Sequence, residues 1–504
     1  MGERIEWATT GATVLTILGL DELLASVRDQ LDEFSRIRAV GAAPDLIAFV
    51  ILQLKLTPSL ERGADFATGA VNGRLSRSLA AHRITAVSGD RAFETFGAEW
   101  APYAPSLRRA STLLGVAMDA PAERRAETLA DALEAVLEGT RERVVEFSTA
   151  IRGPAMGIYA FGVMLPLALV GLLPVLSSTG GGVSMVALAV AYDLLVPLGL
   201  IASGVWLWAR RPAIADSAFD RGLLAHGTSW VTVVLAGLGA AILATPGATV
   251  LGPSWVGPIV AVGASLGTAL FVWLRPIVEE QDRLDELAAR LPDVLAVAGQ
   301  RLEAGAPLER TLPAIGQRFD GPIGDLFEAG ATRRLQSGEP VEAALLGPDG
   351  VVAELSRKRV RAATSLLVTA GEYGPEGGAT LQTVGSYLGE LFAVEREARR
   401  ELAQTTSTLR QTAVVFAPAI AGVTVALATG MNAAEAGYTI EVAPLGRVVG
   451  IYVLLLAAIL PSLSVVLARG FDPVRMGFQS GIALGVSSLV YPLSFVAART
   501  LVYV

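Results

Sequence analysis

Apolar and polar positions fall in blocks along this chain. Residues 1–150 are charged, with apolar residues at helical spacing, and about 154–274 are nearly charge-free. Residues about 276–409 are charged again, and about 411–500 return to apolar. Each apolar block divides into stretches close to the roughly 20 residues that cross a hydrocarbon core. The first gives four, about 155–176, 185–209, 229–246 and 254–274, and the second three, about 411–430, 446–468 and 477–498. Ser177 to Gly182 and Ala244 to Ala248 are predicted tight turns between spans. In the second charged block Leu284, Leu287, Leu291, Val294, Leu295, Ala298 and Leu302 recur at i+3/i+4, one apolar stripe on a helix. Gly305 stands where a helix C′ residue belongs and Pro307 in the first turn of the next helix; Gly338 and Pro340 repeat that punctuation. Thr57-Pro58 is predicted as N-cap and N1 at the matching corner of the first block. No run has the period of a strand. The predicted fold class is all-α, a polytopic membrane protein with about seven transmembrane helices and two repeated helical-bundle domains.

The two charged blocks share a module. Ala43-Pro44-Asp45-Leu46 matches Leu291-Pro292-Asp293-Val294 at an offset of 248, and Leu60-Glu61-Arg62 matches Leu308-Glu309-Arg310. Ala48/Ala296, Leu54/Leu302 and Gly73/Gly321 agree without a gap. These eight identities in thirty positions exceed the roughly two or three that composition alone supplies. A helical module written twice, each copy feeding into membrane, points to a scaffold in the bilayer rather than to an enzyme with one catalytic pocket.

Composition sharpens the picture. The chain is 52% hydrophobic against a usual value of about 45–50%, with mean hydropathy +0.52. A net charge of −8 argues against nucleic acid as the main partner. There is no Cys, so disulfides, thiolate metal sites and Cys nucleophiles are excluded. His82 and His226 are the two histidines, too few for a histidine metal centre, and Lys55 and Lys358 are the two lysines. No Walker A, G-x-S-x-G, H-E-x-x-H or dinucleotide fingerprint occurs. No cofactor, metal or enzymatic activity is expected, and energy for any work must come from a partner. Ala8 to Leu20, bracketed by Glu3, Glu6 and Asp21, does not read as a signal peptide.

Arginine placement predicts sidedness. Arg210, Arg211 and Arg221 lie in the loop 210–228, and Arg469 and Arg475 in the loop 469–476. The opposite loops, 177–184, 247–253 and 430–444, carry no Lys or Arg. The arginine-bearing side is predicted cytoplasmic, with the N-terminus and both modules on it and Val504 outside. Arg447 and Arg499 run against the rule. The basic loops allow two readings: they set topology alone, or they also dock an acidic cytoplasmic partner. Arg357, Lys358, Arg359 and Arg361 have the same ambiguity, a docking cluster or a solvated helix face near anionic lipid. Asp193 sits inside the second span. An intramembrane carboxylate is a functional candidate by default, against a structural bond to another helix or water. Gly237 and Gly239 are predicted helix-packing residues, and Glu372 to Gly378 a corner between helices.

Against this background the second charged block resembles a known family. Leu291-Pro292-Asp293 through Leu302-Glu303-Ala304-Gly305, then Leu308 and Leu312, resembles the start of the type II secretion system F domain. Leu335 to Pro340 with Ala343-Ala344-Leu345 is similar to that family's next helix corner, and the membrane entry at Gln411-Thr412 to its membrane entry. The resemblance covers about 290–430 well and about 40–176 weakly, where Thr57 stands in place of Gly305. It implies a membrane platform of type IV pilus-like machines, most similar to archaeal pilus and archaellum platform proteins. It further implies a cytoplasmic hexameric ATPase and pilin-like subunits as partners, and a homodimer. The candidate ATPase contacts are Arg210, Arg211, Arg221, Arg357, Lys358, Arg359, Arg361, Arg469 and Arg475. The rival readings are a secondary transporter with internal repeats and a receptor with cytoplasmic helical domains.

Overall fold

In the computed structural model all regular structure among the described residues is helical, and the chain is an all-α polytopic membrane protein. The described residues are 32–33, 35–71, 73–86, 88–178, 184–210, 227–251, 253–353, 355, 358–434 and 441–502. The stretch Ala8 to Leu20 lies outside them, as do 179–182 of the first predicted turn. Two compact units divide between Thr140 and Arg141, and each is described by itself.

The first unit contains α1 (Ala43–Leu56), α2 (Leu60–Ala70), α3 (Arg74–Thr85), α4 (Gly89–Trp100), α5 (Pro105–Asp119) and the beginning of α6 (Ala122–Tyr159). The cap of α2 falls two residues later than predicted. Thr57 ends α1, and the hydroxyl of Ser59, whose backbone is extended, accepts from the Arg62 N–H at 3.4 Å. Hydropathy predicts about seven spans, but an eighth stretch, Ser35–Lys55, is also long and apolar enough to cross a membrane. Phe49, Val50, Ile51 and Leu52 point in four successive directions around α1, yet all are at most 1% exposed. A helix covered on every face by its own unit is a core helix. Helix α10 (Trp230–Leu251) contrasts with it, exposing Leu235, Ile242 and Leu243 as a lipid-facing span does.

The second unit holds the membrane helices and a second bundle. Helix α6 passes through a π turn (Ala160–Met164) into α7 (Leu165–Ser178). The next span is α8 (Met185–Ala189), a π turn (Val190–Leu195) and α9 (Val196–Arg210). Helix α10 runs straight through Ala244 to Ala248, where a turn is predicted. Pro246 is accommodated inside a membrane helix, which tolerates proline better than a solvated one does. Helix α11 (Val256–Glu303) is continuous over 48 residues, about 72 Å, from the fourth span into the bundle. Its predicted stripe from Leu284 to Leu302 is buried at every position named.

The α11 corner closes as expected. Gly305 takes φ +83°, its N–H bonds to the Leu302 carbonyl and the Ala306 N–H to that of Arg301, which satisfies two of the carbonyls that the helix end leaves free. Pro307 is the residue before α12 (Leu308–Arg318). Then come α13 (Pro322–Ser337), α14 (Val341–Leu346), α15 (Lys358–Glu372) and α16 (Pro375–Gln411). A π turn (Thr412–Phe416) joins α16 to α17 (Ala417–Ala434), and α18 (Val442–Arg469) and α19 (Pro473–Val502) complete the chain. Helices α2 and α12 have the same 11-residue length and begin 248 positions apart. Gly73 and Gly321, again 248 apart, both precede the next helix with positive φ.

Helices α11 and α16 approach backbone to backbone. A Cβ on Gly299 would stand 2.6 Å from the Gly378 carbonyl oxygen, and one on Gly385 would stand 2.8 Å from that of Pro292. In the membrane α11 meets α19 the same way, with Gly267 against the backbones of Gly481 and Gly485. Gly237 packs against the Ser265 carbonyl as predicted, whereas Gly239 has no neighbour within 4 Å and is not a packing contact.

Candidate functional site

Two polar clusters stand out within the second unit. The first lies at the ends of α18 and α19. The sequence Asp472-Pro473 is a strong helix start, an acceptor side chain followed by a residue with no N–H to satisfy. Asp472 Oδ1 accepts the Arg475 backbone N–H at 3.1 Å, which fixes the first turn of α19. The Arg475 guanidinium then reaches α11, donating to Asp282 Oδ1 at 2.7 Å and Asp285 Oδ2 at 3.3 Å. Its Nε is 3.4 Å from Asp472 Oδ2, an ion pair without hydrogen-bond alignment. The Arg475 side chain is 10% exposed and that of Asp472 3%. Arg469 is half-buried nearby, within electrostatic reach of Arg475, Arg399, Asp285 and Asp282.

The structure places the candidate contact Arg475 among charges of its own unit. Three carboxylates of its own unit occupy its guanidinium, and little surface remains for a partner. Arg361 is exposed at the start of α15. Arg210 is exposed at the end of α9, its guanidinium carbon 4.1 Å from the centre of the Trp206 ring, the amphipathic pairing typical of a membrane interface. Arg211, Arg221 and Arg357 lie outside the described residues. Lys358 and Arg359 are described as backbone in the first turn of α15. Among the candidate arginines whose side chains are described, Arg475 is internal, Arg469 half-buried, and Arg210 and Arg361 are surface groups.

The second cluster is inside the membrane block. Tyr192 lies on the π turn of the second span and donates to the Pro166 carbonyl at 2.6 Å. Tyr452 of α18 donates to the carbonyl of Gly162, on the π turn of the first span. Pro166 has no N–H to give to the carbonyl four residues before it, that of Gly162, and the Tyr452 hydroxyl supplies the missing donor. The two rings pack edge to face at 5.4 Å. Asp193 follows Tyr192 on the same π turn, partly exposed, with Oδ1 enclosed and lacking a hydrogen-bond partner. Sequence reasoning singled out Asp193 but missed Tyr192 and Tyr452, which adjoin it in space through a span 290 positions from the first. It also missed Asp282 and Asp285, whose i, i+3 spacing on one helix face is the signal that marks them as a pair for a single cation.

Among the described residues no group of three or more His, Cys, Asp or Glu is arranged to hold a metal ion. The chain is of a definite class: a polytopic membrane protein whose spans continue as unbroken helices into a helical bundle. Residues 299–425 match the model of the type II secretion system (T2SS), protein F, and the chain carries that family's domain there. No curated protein and no solved structure matches the chain.

Proposed function

We propose that the chain is the membrane platform of a type IV pilus-like assembly or secretion machine. On this reading it couples a cytoplasmic hexameric ATPase to the insertion of pilin-like subunits. The observation that carries the reading is the extent of the family match. It begins at Gly299 near the end of α11, covers α12 to α16 and ends at Val425 within α17. It thus takes in both the bundle and the helix by which the bundle enters the membrane. Continuous helices are suited to such a role. Helix α11 joins membrane to bundle without a loop, and α16 joins bundle to membrane through a single π turn. A displacement of the bundle is then passed to the spans as a rigid rotation or shift instead of being absorbed in a linker.

The reading places both modules and the N-terminus in the cytoplasm, and treats the blocks 1–150, 154–274, 276–409 and 411–500 as module, membrane, module, membrane. It takes the first module as a diverged copy of the second, supported by the matched lengths of α2 and α12 and the matched glycines at 73 and 321. The ATPase contact is assigned to the exposed arginines, Arg361 and Arg210, with the basic residues around them. Charge reversal, Arg361→Glu with Arg210→Glu, is expected to reduce recruitment of the ATPase to membranes and the number of filaments. Normal recruitment and filament number in the doubly reversed, correctly inserted protein would sink the assignment.

A further inference from the structure

We propose that the lipid-facing side of the second span is a seat for an apolar transmembrane helix that presents a cationic donor, an amine or guanidinium, to Asp193. The inference goes beyond the platform reading and holds whichever machine the chain serves.

Three observations converge. First, the carboxyl group is partly exposed, and its enclosed oxygen has no partner among the described residues. Asp193 Oδ1 is enclosed and unbonded, while the neighbouring hydroxyls of Tyr192 and Tyr452 each spend their single proton on a carbonyl, of Pro166 and Gly162. Second, the backbone that carries the carboxyl group is braced. It sits on a π turn whose ring at Tyr192 is packed against Tyr452, both buried. Third, the surface around it is apolar and open. Val190, Leu194, Leu195 and Leu198 are 45–60% exposed on the same span. Asp193 is eight residues into the helix that begins at Met185, about 12 Å along its axis, a depth at which hydrocarbon offers no donor. A partly open carboxylate on a span whose exposed side chains are apolar is complementary to one kind of occupant: a helix apolar over its length with a single cation at matching depth. Small-molecule or headgroup ligands lack the apolar length that the leucine face would cover.

The test uses the full chain in lipid nanodiscs. The protein has no cysteine, so a single Val186→Cys carries a donor dye. The probes are two acceptor-labelled single-span leucine–alanine peptides that differ at one position, Lys or Leu, placed about 12 Å from the outer end. The Lys peptide is expected to associate about tenfold more tightly than the Leu peptide. Asp193→Leu should abolish that preference, and Asp193→Asn, which keeps the shape, should cut it by more than half. Association of the Leu peptide should be equal across the three proteins, which verifies that the span is intact. Equal binding of both peptides to the unaltered chain overturns the proposal, as does a Lys preference that survives Asp193→Leu. Neither outcome touches the reading of the F domain, which the recruitment experiment above tests separately.

Discussion

Arg475 is the residue on which most charge converges, and its removal has a definite cost. Arg475→Ala leaves Asp472, 2% exposed, without its cation, and frees Asp282 and Asp285 to repel each other. Breaking a buried pair from one side costs about 3 kcal/mol or more. Thermal unfolding in nanodiscs should show that loss, while Arg475→Lys should fall between, since an ammonium cannot reach α11 and Asp472 with one planar fork. A wild-type melting curve for Arg475→Ala would refute the bridging role. Glu61, in the first unit, carries a pH dependence. Its own backbone N–H, the Ser59 hydroxyl and the Gly89 N–H all bond its carboxylate and hold its pKa below the usual glutamate value. A group whose native pKa is depressed contributes stability above its unfolded value and loses it as pH falls through the native one. The tie between α2 and α4 should therefore weaken from about pH 5 downwards. Glu61→Gln should remove that acid limb at a cost of about 1 kcal/mol, modest because the group is water-screened. Hydrogen exchange at Gly89 reads it directly. Exchange as slow in the variant as in the parent would show that the contact contributes nothing.

Among the elements, the contact of α11 with α16 decides whether the bundle forms. Gly299→Ala drives a methyl group to within 2.6 Å of a carbonyl on the facing helix, and the helices must separate. Overpacking of this kind costs about 1–3 kcal/mol. Gly239→Ala, with nothing within 4 Å, should be neutral or slightly stabilising because alanine is the better helix former. The paired melting curves would reject the packing account if the two variants behaved alike. The same elements show what a sequence discloses. The buried stripe from Leu284 to Leu302 and the Gly305 corner are local and periodic, so 3.6-residue spacing and one glycine announce them. Apolar block lengths gave seven spans for the same reason, but block length alone cannot separate a lipid-facing helix from a core helix such as α1. Pro246 was misplaced into a turn because proline's usual meaning is reversed inside a span. The π turns at 160–164, 190–195 and 412–416 have no local signature, and the Tyr452 bond to Gly162 joins positions 290 apart. Of the carboxylates around Arg475, Asp472 is local, but the two on α11, 190 and 193 positions away, are invisible to any local pattern.

For the molecule as a whole, sidedness determines whether one motor can engage it. Loops with arginines at 210, 211, 221, 469 and 475 alternate with loops that carry none, an asymmetry that predicts both modules on one side if four spans separate them. The four helices between Ala122 and Glu303 that qualify by length and composition fit that even count. Helix α1 also qualifies, but its burial argues that it stays within its unit; were it inserted, everything before it would change sides. The absence of cysteine makes the question tractable. Single cysteines at Ser59, Ser337 and Ser178 in whole cells, probed with an impermeant maleimide, should leave the first two dark until lysis and label the third. If Ser59 and Ser337 report from opposite sides, the span count between them is odd. A single ATPase could then not grip both modules, and the two halves would stand as inverted copies, the arrangement of a transporter rather than of a platform.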